Sequence, residues 1–271
     1  MTISRTSLST AAAALAILIS SAAPVAAQTP LNGGAATAEG RGGRGGPPAP
    51  KPGPVPRMPD GKPDMTGYWS LGALRFNGNL ASEGEDKVPY TPAGKAAYLN
   101  HDAKNDPTGF CMAPGMPRML HSPFPMKIMQ DSKNVSFLYE YMRIWRLVDF
   151  NRKEHYSDVA DTFMGDSIGH WEGDTFVVET TGINDRSWLD TAGHQHTADM
   201  KVIERMTRTG PESMDYEVQV IDPKYYAKPW IHKGVLTPQR PTKGLPELLE
   251  YFCVDNNIDV SHLVSTKPDQ P

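Results

Sequence analysis

The 271-residue chain has two cysteines, Cys111 and Cys253, and no CxxC pair, haem-attachment motif, Gly-rich phosphate loop or dinucleotide-binding fingerprint. Haem, nucleotide and dithiol redox chemistry therefore leave no mark on it, and no cofactor is expected. The apolar run 11–19 is too short to span a bilayer. No block of basic residues interrupts a formal charge of −4, so nucleic acid is not the expected partner. Apolar residues make up 39% and charged residues 21%, which suits a globular domain.

Glycine and proline are plentiful, 24 and 25 residues, but unevenly placed. Residues 1–27 read as a secretory signal: Arg5 supplies the positive end, 11–19 the apolar run, and Val25-Ala26-Ala27 the small residues before a cut after Ala27. The expected destination is the periplasm or the medium, with no membrane span after cleavage. Residues 28–59 hold 8 Gly and 8 Pro among 32 positions, too little apolar surface to offset ordering entropy, and read as a disordered leader. The remaining 60–271 carry 22 basic and 30 acidic side chains, net −8, and read as one domain that favours a neutral or weakly charged small molecule.

In that domain the pattern is period two. Strands are predicted over 67–71, 126–130, 135–142, 144–150, 168–171, 175–181, 201–207, 214–221 and 248–254. Glu172-Gly173-Asp174 makes the clearest hairpin turn. Thr91 and Pro92 predict the N-cap and first residue of a short helix to Asn100. Short connections demand antiparallel neighbours, and a meander of about eight strands removes its edges by closing into a lipocalin-like barrel; a β-sandwich is the alternative. In an exported chain the two cysteines most simply pair, joining an early loop to the last strand; a thiolate nucleophile or copper ligand is the rival reading.

The stretch Gly165-Asp166-Ser167-Ile168-Gly169-His170-Trp171-Glu172-Gly173-Asp174-Thr175 is followed by Val177-Val178-Glu179-Thr180. Asp185-Arg186-Ser187-Trp188-Leu189-Asp190, Gly193-His194 and Glu204-Arg205 come after it. Together with the Pro59–Asp64 opening, the Cys111–Arg118 loop and the late Cys253, it resembles a family of exported, β-rich, lipocalin/calycin-like proteins of Gram-negative bacteria. The resemblance spans most of 57–255. It implies fold and compartment and carries no activity with it.

The densest polar cluster is 185–204, on a loop expected between two strands. Residues i and i+2 of an extended segment face one way, so His194 and His196 are expected on one side. As acid–base chemistry, His196 is base or acid, Asp185 orients it, and Arg186 stabilises negative charge. As a metal site, His194 and His196 hold zinc with Glu204, or else Asp185 or Asp190, as third ligand. Glu140 is read as a second carboxylate in the cavity if Leu138, Glu140 and Met142 face inward. If Phe137, Tyr139 and Tyr141 do, Glu140 is solvated and the cavity aromatic. Arg146 could pair with Glu140. Tyr139, Trp145, Trp171 and Trp188 are the candidate substrate-binding rings. Ser167 sits in a G-x-S-x-G string but lacks the strand-turn-helix setting of a nucleophile elbow. Met112, Met116, Met119, Met126 and Met129 with His121 read as packing, with Cu(I) the alternative. The expected function is an enzyme acting by acid–base chemistry (lyase, isomerase or hydrolase) on a small, partly aromatic substrate. The alternatives are a non-catalytic binder of an apolar ligand or glycan, and a zinc or copper protein.

Overall fold

The computed structural model describes residues 52–71, 79–239, 248–255 and 257. The signal and most of the leader lie outside them. Nine strands follow one another round a closed barrel: β1 (Gly67–Ser70), β2 (Met126–Gln130), β3 (Asn134–Tyr139), β4 (Trp145–Asp149), β5 (Asp166–Glu172), β6 (Thr175–Thr181), β7 (Lys201–Gly210), β8 (Ser213–Ile221) and β9 (Trp230–Pro238). The all-β, lipocalin-like barrel expected from the sequence is the fold.

One departure follows from arithmetic. Up-down alternation closes a ring only when the strand number is even. Nine strands therefore need a parallel pair, and β4–β5 is that pair, with Val148 opposite Ser167. A parallel pair cannot be joined by a tight turn, and residues 150–165 form the long return. The ninth strand is β9, absent from the predicted set. The predicted strand at 248–254 is instead irregular chain beside the barrel. Cys253 on it is bonded to Cys111, Cα atoms 5.4 Å apart, so the disulfide stands but joins a loop to a strap, not to a last strand.

Alternation sets the interior. β3 buries Val135, Phe137 and Tyr139. β7 buries Val202, Glu204, Met206 and Arg208, and β8 buries Met214, Tyr216, Val218 and Val220. Met116, Met119 and Met126 are core residues, which answers the methionine string by packing, while Met129 is exposed. Ser167 lies inside β5 with Oγ 2.9 Å from Thr180 Oγ1, a strand residue and no elbow. The fold's contacts begin before Asp60: Pro56 accepts from the Asp64 N–H, and Arg57 clamps Asp174 at 2.9 and 2.6 Å.

Strand direction separates the two ends of the barrel. One end has the short turns 131–133, 173–174 and 211–212. The other has the long connections 182–200 and 222–229 and the described part, 79–125, of the connection from β1 to β2, and these form a lid. The lid contains α1 (Pro92–Asn100), started as predicted by Thr91 Oγ1 accepting from the Gly94 N–H at 3.1 Å with Pro92 in the first turn. Gly94 is required for docking, since a Cβ there would stand 2.0 Å from the Tyr225 carbonyl oxygen.

Candidate functional site

The lid loop 182–200 is organised by Asp190, which is fully buried. Its Oδ1 accepts the N–H groups of Ala192 (3.0 Å) and His194 (3.2 Å), an Asx-type turn that reverses the chain. Gly193 makes the reversal possible with φ +89°, and a Cβ there would strike the His101 ring. Asp190 Oδ2 accepts from the Leu80 N–H at 2.9 Å and faces His194 Nδ1 at 2.6 Å. The carboxylate thus fixes the imidazole by backbone and ring together, so Nδ1 carries the proton shared with Asp190 and Nε2 is turned to the other side of the ring.

Nε2 stands 3.3 Å from the Glu85 carboxylate. His194 has no exposed surface, whereas the Glu85 side chain is 34% exposed, so Glu85 is the link between this histidine and solvent. The ring is stacked on Tyr98 (centroids 4.7 Å) and meets Trp230 edge to face (4.9 Å). Tyr90 donates its hydroxyl to Glu85, and Lys95 Nζ lies 3.9 Å from the same carboxylate. Burial first, then the Glu85 charge, lifts the Tyr90 phenol well above its usual range, which keeps it a donor. A cleft of about 580 Å³ is lined by Leu80, Gly84, Val88, Trp230 and His232 among others; Trp230 joins it to this cluster, and Glu85, Tyr90 and His194 are not among its lining residues.

No protein-family model, curated protein or solved structure matches this chain. The site's chemistry is therefore argued from its geometry.

His196, Asp185 and Arg186 do not have the hydrogen-bond wiring expected of them. His196 Nδ1 donates to the Thr197 carbonyl (3.0 Å), and Nε2 accepts from Ser187 Oγ (3.2 Å). Desolvation lowers the His196 pKa, so the ring is neutral. Asn184 Oδ1 accepts the Arg186 N–H and puts Asp185 and Arg186 at the exposed tip of a turn. Asp185 makes no hydrogen bond to His196 that orients it, and Arg186 lies over the Phe163 ring. The oriented pair is Asp190–His194, one histidine earlier. The two imidazoles answer to different partners and do not share a face. Glu204 belongs to a third place, the barrel centre, so His194, His196 and Glu204 do not form a zinc site. Among the described residues, no three His, Cys, Asp or Glu are placed to hold a metal.

At the barrel centre Arg146 from β4 reaches across to Glu204 on β7, Nη1 to Oε2 at 2.5 Å, both side chains buried. Tyr216 donates to Glu204 Oε1 at 3.2 Å. Burial, the largest single influence, pulls the guanidinium pKa down, but the Glu204 charge, the nearby phenols and the Glu204 hydrogen bond together outweigh it, so Arg146 stays charged. Burial raises the phenols of Tyr139 and Tyr216 above their usual range. The 3-10 turn Arg118–His121 presses on this centre from the lid: the His121 ring is 6.1 Å from Tyr216 and 5.0 Å from His232.

Glu140 is not in the cavity. β3 ends at Tyr139, and the chain turns through Glu140–Arg143 with Met142 and Arg143 in the left-handed region. Glu140 instead accepts the Leu249 N–H at 2.8 Å and fastens the strap that holds Cys253. The inward set is the aromatic one, Phe137 and Tyr139. The four candidate rings do not line one cavity. Tyr139 is inside, and Trp145 is 67% exposed on the outer face. Trp171 packs on Phe176. Trp188 lies in the lid, edge-on to His101. Sequence reasoning missed Glu85, Tyr90 and Tyr98, which lie about a hundred residues from His194. The inward phase of Val202, Glu204 and Met206 was readable in the period-two pattern of β7.

Proposed function

We propose that this is an exported enzyme that moves a proton on a small, weakly charged molecule, as an isomerase or lyase does. The observation that carries the reading is Asp190–His194–Glu85: a buried imidazole fixed at Nδ1 by one carboxylate, with Nε2 facing a second carboxylate that reaches solvent. In the proposed step, Glu85 takes a proton from the carbon of a substrate resting against its exposed carboxylate. It passes that proton to His194 Nε2, and Asp190 stabilises the imidazolium that results. Return of the proton to another atom completes an isomerisation, and loss of a leaving group completes an elimination. Hydrolysis would use the same pair to activate water. Export draws support from the Cys111–Cys253 disulfide, which suits an oxidising compartment. Among the described residues no helix is long and apolar enough to cross a membrane.

The test is deuterium incorporation at the α-carbon of a panel of small aryl ketones in D₂O, followed by proton NMR. Exchange that needs the protein and is lost in Glu85→Gln and His194→Gln supports the reading. Absence of exchange across the panel, or equal exchange in both variants, contradicts it. A second reading, binding of an apolar ligand or glycan without turnover, draws on Trp230 at the cleft wall; it predicts line broadening of a bound probe and no exchange.

A further inference from the structure

The barrel centre holds donors that no described residue accepts. Arg146 is 3% exposed and gives Nη1 to Glu204. Its Nε–H and Nη2–H lie along the other edge of the guanidinium and point the same way, and neither has a hydrogen-bond partner. The Tyr139 hydroxyl is also buried and unpartnered. These groups are neighbours: Phe137 is opposite Arg146 in the β3–β4 register, the guanidinium lies 4.7 Å from the Phe137 ring, and that ring is stacked with Tyr139. Buried donors without acceptors are costly, and a native interior leaves few of them. The free edge of a guanidinium is a two-pronged donor whose spacing matches the two oxygens of a carboxylate.

We infer that the barrel centre binds a small monocarboxylate, its two oxygens on Arg146 Nε and Nη2 and one of them also accepting from the Tyr139 hydroxyl. Glu204 and Arg146 together carry no net charge, so the acid is held by three directed hydrogen bonds and not by a basic field, which restricts the site to small acids. Two clefts are lined by residues next to the centre, though not by Arg146 or Tyr139: His232 lines the one of about 580 Å³, and His121, 6.1 Å from the Tyr216 ring, lines another of about 270 Å³. This site shares no residue with Glu85–His194–Asp190, so the inference goes beyond the proton-transfer reading and stands or falls separately.

Calorimetric titration of the full chain with acetate, benzoate and phenylacetate tests it, with benzamide as the neutral counterpart of benzoate. The expected result is saturable binding of at least one acid. Loss of the fork in Arg146→Lys should weaken that binding about tenfold or more, and loss of the single donor in Tyr139→Phe should weaken it about threefold or more. Benzamide should bind at least about tenfold more weakly than benzoate. No saturable binding of any acid by the wild type, unchanged affinity in Tyr139→Phe, or benzamide binding as well as benzoate would overturn the inference. Tyr139→Phe keeps the ring and removes only an unpartnered hydroxyl, so it reads the site even if Arg146→Lys does not fold.

Discussion

Cutting the cross-barrel ion pair from one side leaves a charge stranded in the core. In Glu204→Leu the Arg146 guanidinium loses its only carboxylate among the described residues, and the Tyr216 hydroxyl loses its acceptor. Both charged side chains are almost wholly buried, at 2% and 0% exposure, so water cannot make good the loss. Removing one partner of such a pair costs about 3–5 kcal/mol, and the orphaned phenol adds about 1 kcal/mol. Arg146→Met strands Glu204 at a similar cost. Replacing both together removes both charges, and the double variant Arg146→Met/Glu204→Leu should lose only about 1–2 kcal/mol. The assay is equilibrium urea unfolding, followed by tryptophan fluorescence and far-UV circular dichroism. With an m-value of about 3 kcal/mol/M, each single variant should lower the midpoint by roughly 1–2 M and the double variant by well under 1 M. Single variants costing under about 1 kcal/mol each, with costs that simply add, would refute the picture of a buried, mutually dependent pair.

Three further outcomes follow from the lid and strap. His196 titrates below its ordinary value near 6.5 because burial disfavours its charge. The unfolded chain then binds the extra proton, so stability is full above about pH 6.5 and falls as pH drops through the window below it. His196→Gln should flatten that part of a melting-temperature profile between pH 7 and 5, and an unchanged slope would contradict the assignment. The Cys111–Cys253 bond closes 142 residues, so Cys253→Ser should cost up to about 5 kcal/mol in the chain-entropy model, or about 10–20 °C in Tm. A loss under about 2 °C would mean that the strap contributes little. Gly94→Ala gains up to about 1 kcal/mol of helix propensity but drives a methyl into the Tyr225 carbonyl, so it should destabilise by roughly 1–3 kcal/mol net. A rise in Tm would show that α1 does not dock there.

The barrel was legible because its strands alternate. β2 and β6 match their predicted bounds, and the Glu172-Gly173-Asp174 turn fixed the β5–β6 register. β9 escaped because its inward positions, Trp230, His232, Gly234 and Leu236, include a glycine and an imidazole, which break a hydrophobic count. The segment 248–254 misled in the opposite way: its apolar residues belong to a strap pinned by a disulfide and by Glu140, and a strap obeys no strand period. At the candidate site, the polar loop lies between two strands as expected, but its wiring differs. His194 was singled out, but which carboxylate holds it depends on an Asx turn at Asp190 and a left-handed Gly193, both local. Its other partner, Glu85, comes from a connection that only the closed barrel brings near. Glu140 was one partner open to Arg146. A backbone turn after Tyr139 removed that partner, and the inward face of β7 supplied Glu204.

The central claim is that His194, with Glu85 before it and Asp190 behind it, moves the proton. The most direct measurement compares deuterium exchange into an accepted aryl ketone by wild type, His194→Gln and His196→Gln at one pH. Positioned acid–base groups contribute about 10²–10⁴ in rate, so His194→Gln should fall by at least about a hundredfold while His196→Gln stays within about threefold of wild type. Full activity in His194→Gln, or the larger loss in His196→Gln, would contradict the account.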